Sequence, residues 1–356
     1  MSSQPRLLNV GRMGHCHALN FLRLVPRANL LCACSPVQEE LKWADEHLVP
    51  HGVKVFDTFE EMMETPGLEA VIICSATPLH VPHTIAALDR GIQVLCEKPI
   101  SKSVSEMKAL LERADANPNA SVMVAFTRRF DESYRDAFLK IKAGAIGKPF
   151  IFRSHGVERM DDSPFSHQYL KNSGGIFVDS AIHDIDLALM FLGEDSTPKS
   201  VSAVGVSTVF SALADVGDAD NAVAVCEFWD GKIAHFYHSR TSAAGYHNAS
   251  EIFGTAGKLS VNLTPWINRV ELCDGDGFLK VEPTPSWYDR YKLAFVAEAN
   301  EWVAAVLDKQ PLPIPLRSAL TSLVIAQAFQ ESLRTGRRIE FSRDGQIKDQ
   351  ESQSKI

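Results

Sequence analysis

The sequence predicts an α/β protein in two parts: an N-terminal doubly wound parallel sheet, then a C-terminal α/β domain built on an antiparallel sheet. Three observations carry this. Up to residue 126 short apolar runs alternate with amphipathic helical stretches. From about residue 198 to 283 the apolar runs are instead separated by hairpin signals such as Asp-Gly and Ala-Gly. A glycine turn, "VGRMG", stands between the first apolar run and the first helix.

The elements of the first part follow in order. "RLLNV" is a strand and "HCHALNFLRLV" a helix. "ANLLCAC" is a second strand, and "VQEELKWADEHL" a helix with a polar face. "AVIICSA" is a third strand, and "HVPHTIAALDRG" a helix closed by Gly91. "IQVLCE", "SVSEMKALLERADAN" and "ASVMVAF" give a fourth strand, a helix and a fifth strand. Strands alternating with helices require crossovers that are short and right-handed, which cover both faces of a parallel sheet. Past residue 126, "SYRDAFLKIKAG" reads as a helix leading into the strand "KPFIFRSHGVE". The pair Gly174-Gly175 opens one helix through "IFVDSAIHDIDLALMFLG". Strand runs at 200–210, 221–239, 250–262 and 269–282 precede two long helices, 295–310 and 318–336. The expected division is a dinucleotide-binding domain at 1–126, a substrate-binding and oligomerisation domain at 127–345, and a polar tail at 346–356.

The totals narrow the function. The 356 residues carry a formal charge of −8, which argues against nucleic acid or an anionic membrane as partner. No apolar run reaches the length of a bilayer span, and the N-terminus lacks the pattern of a signal peptide. Most of the seven cysteines lie in apolar strand runs and none has zinc-finger spacing, so a reducing cytoplasmic setting is expected.

The turn is where a dinucleotide would bind. In a G-x-G-x-x-G loop the second glycine lets the backbone approach the pyrophosphate and the third allows close helix–strand packing. Gly11 and Gly14 take these places, with Arg12 and Met13 between them. Asn9 stands for the first glycine, and asparagine tolerates unusual backbone angles. A bare strand–turn–helix is the alternative. About 20 residues on, where a carboxylate ordinarily holds the adenosine ribose, the chain has Ser35. Serine can bond a ribose hydroxyl without repelling a 2′-phosphate. Lys42 could reach such a phosphate or be a solvated helix lysine, so NAD and NADP stay open.

Two stretches carry chemistry. "CEKPIS" places Glu97 and Lys98 at the end of the fourth strand, and strand C-termini face the ligand crevice in such sheets. The Lys98 ammonium could polarise a substrate oxygen there; a surface Glu97–Lys98 ion pair is the plainer reading. In "GGIFVDSAIHDID", Asp179 and His183 are spaced to share one helix face. A carboxylate beside an imidazole fixes its tautomer and makes His183 a candidate general base. A helix cap with a satisfied histidine, or a metal site with Asp186, are the other readings.

"VGRMGHCH", "CSATPLHVPHTIAALDRGIQVLCEKPIS", "VAFTRRFD" and "GGIFVDSAIHDIDLALMFLG" together resemble the glucose–fructose oxidoreductase / inositol dehydrogenase / MocA family. "SEIFGTAGKLSV" and "FVAEANEWVAAVL" are similar to its later segments, and the likeness runs to inositol 2-dehydrogenases. The resemblance implies a Rossmann domain followed by a domain with a large, mainly antiparallel sheet, which commonly forms the subunit interface of a homodimer or homotetramer. It implies an NAD(P)-dependent oxidation of a secondary alcohol in a cyclic polyol or sugar. Lys98, Asp179 and His183 match its catalytic trio, with Lys98 or His183 as proton acceptor. Ser75, Thr77, Pro78 and His80 match the cofactor-side loop, and Glu97 the residue before the lysine. Arg128 and Tyr246 match residues near the substrate. His247 and Ala249 depart from an aspartate and an arginine frequent in relatives. An NADPH-dependent reductase of a sugar ketone or of a non-sugar carbonyl or imine, and a non-catalytic cofactor-binding sensor or regulator, are the alternatives; a sensor has no chemical need of the trio.

Overall fold

The computed structural model describes residues 6–7, 12–264, 272–273, 279–280 and 284–348. The chain forms two compact units, one of Met1–Phe130 with Leu293–Thr321, the other of Asp131–Lys292 with Ser322–Ile356. The return of residues 293–321 to the first unit is not visible in the linear order of motifs.

The first unit is a parallel sheet with helices between its strands. Its strands are β1 (Arg6–Leu7), β2 (Asn29–Leu30), β3 (Cys32–Cys34), β4 (Lys54–Phe56), β5 (Ala70–Ile73), β6 (Gln93–Glu97) and β7 (Val122–Ala125). β1 pairs with β2, β3 with β4, and β6 lies between β5 and β7, all parallel. β1 also lies against β3 and β5, which puts the first strand near the middle of the series. Val71, Ile72 and Ile73 are wholly buried, as a strand covered on both faces must be. The helices are α1 (Arg12–Arg23), α2 (Gln38–His47), α3 (Phe59–Met63), α4 (Thr77–Leu88) and α5 (Val104–Asp115). α1 buries His17, Ala18 and Phe21, spaced on one face, and the Phe21 ring meets Trp302 edge-on at 6.4 Å. Ser103 caps α5, its hydroxyl accepting the Glu106 N–H.

In the second unit α6 (Glu132–Lys142) leads to β8 (Pro149–Arg159), followed by α7 (Pro164–Asn172), α8 (Ile176–Asp179) and α9 (Ile182–Leu192). Then come β9 (Pro198–Val206), β10 (Asn221–Phe228), β11 (Ile233–Ser242), β12 (His247–Gly254), β13 (Gly257–Val261) and the short pair β14 (Leu272–Cys273) and β15 (Leu279–Lys280). α10 (Trp287–Leu307), α11 (Leu316–Thr335) and β16 (Ile339–Glu340) complete the chain. A seven-stranded sheet runs β13-β12-β8-β11-β10-β9-β16, antiparallel except for the β8–β11 pair. Alternation sets its two faces. Phe152, Ser154 and Gly156 of β8 turn inward, and Phe152 stacks near Phe191 of α9 at 6.0 Å. The opposite face carries Val204 and Val223 in register, 68% and 37% exposed.

Three expectations need correction. The helix read through 176–192 is two helices: at its break the Ala181 N–H reaches back five residues to the Ile176 carbonyl, at 3.0 Å. Asp179 therefore ends α8 and His183 belongs to α9, and an inserted residue of this kind resets the helical face. α10 begins at Trp287, ahead of the apolar periodicity, because Ser286 caps it by accepting the Asp289 N–H. α4 starts at Thr77 rather than His80. Within the expected tail the Lys348 N–H donates to the Glu340 carbonyl, and residues 349–356 lie outside the described residues. Most of the run at 269–282 lies outside the described residues.

Candidate active site

The site in the first unit is built at the C-terminal ends of β3, β5, β6 and β7. β6 ends on Glu97, and a cis peptide joins Lys98 to Pro99. Glu97 is 6% exposed. Its Oε1 accepts the Nε2–H of His17 at 2.9 Å, and its Oε2 accepts the Lys98 backbone N–H at 3.1 Å. Glu97 therefore braces the main chain that presents Lys98, instead of forming the surface ion pair that the sequence allowed. Burial pushes the Glu97 carboxyl upward, but the bond and charge of His17 and the Lys98 ammonium outweigh it and hold the carboxyl below its ordinary range. Lys98 is half-buried.

A second carboxyl lies behind it. Glu298 of α10 is fully buried, and Thr127, just past β7, donates its hydroxyl to Oε2 at 2.9 Å. Burial, with the Glu97 charge added, pushes this carboxyl well above its usual range and favours its protonated form. Arg128 follows Thr127 in the single turn Thr127–Phe130 and is 5% exposed.

The loop after β5 is pinned to the loop after β6. His80, 2% exposed, sets Nε2 on the Ser75 carbonyl at 2.8 Å and Nδ1 on the Pro99 carbonyl at 2.9 Å. Two carbonyl acceptors favour a charged ring, yet burial holds its pKa below the ordinary value. Both nitrogens are spent on the backbone, so His80 shapes the loop. Ser75 and Thr77 are half-buried and Pro78 is exposed. At the turn, Asn9 and Gly11 lie outside the described residues. Arg12 and Met13 open α1, and Gly14 is buried within it.

The residues present fit a nicotinamide dinucleotide. α1 and α4 have no acidic residue in their first turns, whereas α2, α3 and α5 carry Glu39 and Glu40, Glu60 and Glu61, and Glu106. Helix N-termini without a carboxylate keep their positive ends for an anionic ligand such as a pyrophosphate.

In the second unit Asp179 is 7% exposed. The Tyr169 hydroxyl donates to its Oδ1 at 2.7 Å, and an Arg240 guanidinium nitrogen lies 3.6 Å from Oδ2. The Asp179 charge and burial hold the Tyr169 phenol far above its usual range, so it stays a donor. Arg240 also bonds Asp218 at 2.7 Å, and Asp218 Oδ1 accepts the Ile176 N–H that opens α8. Ser180, in the break between the helices, donates to Glu158 at 2.9 Å and lies 3.1 Å from His238 Nδ1. The His238 Nε2 is 3.2 Å from Asp184 Oδ2, and Asp184 Oδ1 accepts from Asn248 at 3.0 Å. His183 is half-buried on α9, and Tyr246 is 3% exposed with its ring edge-on to Tyr291. His247 packs against His155 with ring centroids 4.3 Å apart. Among the described residues no group of three or more His, Cys, Asp or Glu side chains could hold a metal ion.

Sequence reasoning did not find Tyr169, Arg240, Asp218, His17 or Glu298. His17 lay in the first helix run, and its spacing to Phe21, which places both on one apolar face, is the one signal that was readable. The others come from segments with no local pattern that points to Asp179 or Glu97.

A parallel nucleotide-binding sheet, anion-ready helix starts and a lysine braced at a strand end define a dinucleotide-dependent oxidoreductase. Residues 9–126 match the oxidoreductase family with an NAD-binding Rossmann fold, and residues 134–260 match the GFO/IDH/MocA C-terminal domain. The chain belongs to the GFO/IDH/MocA family of oxidoreductases. It is 32% identical to scyllo-inositol 2-dehydrogenase (NAD(+)) of Bacillus subtilis, over 94% of this chain and 95% of that one. It is 29% identical to myo-inositol 2-dehydrogenase of Thermotoga maritima, over 94% and 97%. A crystal structure of scyllo-inositol dehydrogenase from Lactobacillus casei, with NAD(H) and scyllo-inositol bound, superposes with a TM-score of 0.88. Its identity is 28%, over 95% of this chain and 99% of that one. No helix among the described residues is long and apolar enough to cross a membrane.

Proposed function

We propose that this chain oxidises a secondary hydroxyl of a cyclic polyol of the inositol class, with NAD as hydride acceptor. The observation that carries the reading is Lys98, held at the end of β6 by the bond between its own N–H and buried Glu97. The named relatives act on inositols, which supplies the substrate class.

Bound NAD supplies an electrophilic nicotinamide carbon that accepts the hydride. The Lys98 ammonium holds the reacting oxygen and stabilises negative charge as it develops there. His183 takes the hydroxyl proton as general base. Asp179, which accepts the Tyr169 hydroxyl and lies 3.6 Å from an Arg240 nitrogen, orients the substrate. Arg128 and Tyr246 complete the substrate contacts. The exposed face of the large sheet, with Val204, Val206, Val223 and Val225, supports self-association into a homodimer or homotetramer. The buried thiols of Cys32, Cys34, Cys74, Cys96 and Cys226 suit a cytoplasmic setting.

The test is a screen of inositol stereoisomers and related sugars for NADH formation. Activity on one or more inositols, abolished in Lys98→Met, is expected. A chain that oxidises only acyclic alcohols, or none of the panel, contradicts the reading.

A further inference from the structure

A dinucleotide-binding sheet ordinarily carries a carboxylate near the end of its second strand. That group accepts a hydrogen bond from the ribose 2′-hydroxyl of NAD, while a nearby arginine serves the 2′-phosphate of NADP. Here that position is Ser35, directly after β3. Ser35 is 1% exposed, so its hydroxyl is not offered to a ligand. Its oxygen accepts the Val37 N–H at 3.2 Å, and its single proton goes to Glu40 Oε2 at 2.5 Å.

Glu40 belongs to the first turn of α2 and is half-buried. No other hydrogen bond to its carboxylate is found among the described residues, so the lone pairs of Oε1 are available. A carboxylate is thus delivered to the strand end from five residues downstream. His15, the third residue past Arg12, stacks on Trp43 at 3.8 Å, and Trp43 stacks on His47. Burial, with a smaller contribution from His47, holds the His15 pKa below its ordinary value despite the pull of Glu40. His15 is therefore neutral near neutral pH and adds no positive charge beside Glu40. Lys42 is exposed on the same helix.

We propose that Glu40, anchored by Ser35, is the residue that selects NAD over NADP. Its carboxylate accepts the ribose 2′-hydroxyl, and its charge repels a 2′-phosphate. The inference rests on the reading that the chain binds a nicotinamide dinucleotide, and it does not depend on the polyol. The competing role for Glu40 is to complement the N-terminus of α2, which Glu39 in the same turn would share.

The experiment is a fluorescence titration of NADH and NADPH against the full chain and the variants Glu40→Gln, Glu39→Gln and Ser35→Ala, each checked for folding by circular dichroism. Wild type should prefer NADH. Glu40→Gln should shrink that preference by about tenfold to a hundredfold, the worth of a hydrogen bond to a charged group. Ser35→Ala should shift it the same way by less, and Glu39→Gln should leave it unchanged. A folded Glu40→Gln with the wild-type preference overturns the proposal, as does a wild type that binds both nucleotides equally, or a Glu39→Gln that matches Glu40→Gln. A wild type that binds neither nucleotide removes the dinucleotide reading and this inference together. Normal NADH binding without polyol turnover counts only against the substrate class.

Discussion

Glu97 and Glu298 are two carboxyls in one buried neighbourhood whose proton affinities are shifted in opposite directions. Glu97 has His17 and the Lys98 N–H to satisfy its ionised form, whereas Glu298 has one hydroxyl donor and a negative neighbour. That leaves Glu97 as the charge that braces Lys98. Replacing Lys98 by Met should leave the NADH dissociation constant within a few-fold and lower turnover by about a hundredfold, as loss of an electrostatic stabiliser does; near-normal turnover would remove Lys98 from the chemistry. The proton acceptor is read separately. If His183 is the base, oxidation rises with pH through one ionisation and His183→Ala loses that limb. If the limb survives in His183→Ala and disappears in Lys98→Met, the lysine is the base. The motif residues were legible because their spacing is local. Their partners were not, since Tyr169, Arg240 and Asp218 reach Asp179 and its helix from separate segments that only folding brings together.

At the level of elements, the glycine pair before α8 is a steric necessity. Gly175 has φ +100°, and a Cβ there would lie 2.3 Å from the Gln330 side chain. Gln330 cannot yield without cost, because its amide donates to the Gly217 carbonyl at 3.0 Å and lies within bonding distance of Asp218, which opens α8. Gly175→Ala should therefore lose about 1–3 kcal/mol in a denaturant titration and displace Asp179 enough to lower turnover. A variant as stable and active as wild type would refute this. The alternating strands and helices of the first unit were readable because each is a short run of one period. The break at Ser180–Ala181 was not: residues 176–192 keep an unbroken apolar pattern, and the extra residue follows from Ser180 reaching Glu158 and lying beside His238. β4 and α7 were also missed, the former for its brevity and the latter for its polar composition.

For the whole molecule, the two carboxyls shape stability in opposite directions. The raised Glu298 keeps its proton in the fold, so its contribution is intact below the ordinary carboxylate range. It is lost as pH rises toward the raised folded value, because the unfolded chain ionises first. The lowered Glu97 contributes above the ordinary range, and that contribution disappears as pH falls through its folded value. Glu298→Gln does not titrate, so its Tm relative to wild type should increase from mildly acid to mildly alkaline pH; a constant offset would show that Glu298 is ionised in the fold. NADH at a hundred times its dissociation constant should stabilise the chain by about 2.7 kcal/mol, seen as a rise in Tm.

The most direct measurement of the central claim is transfer of a label. Inositols carrying deuterium on their carbinol carbons are incubated with the chain and NAD, and the NADH formed is weighed by mass spectrometry. The account predicts NADH with one added deuterium from at least one isomer, and almost none from Lys98→Met. NADH without deuterium, or none from any isomer while NADH still binds tightly, would contradict it.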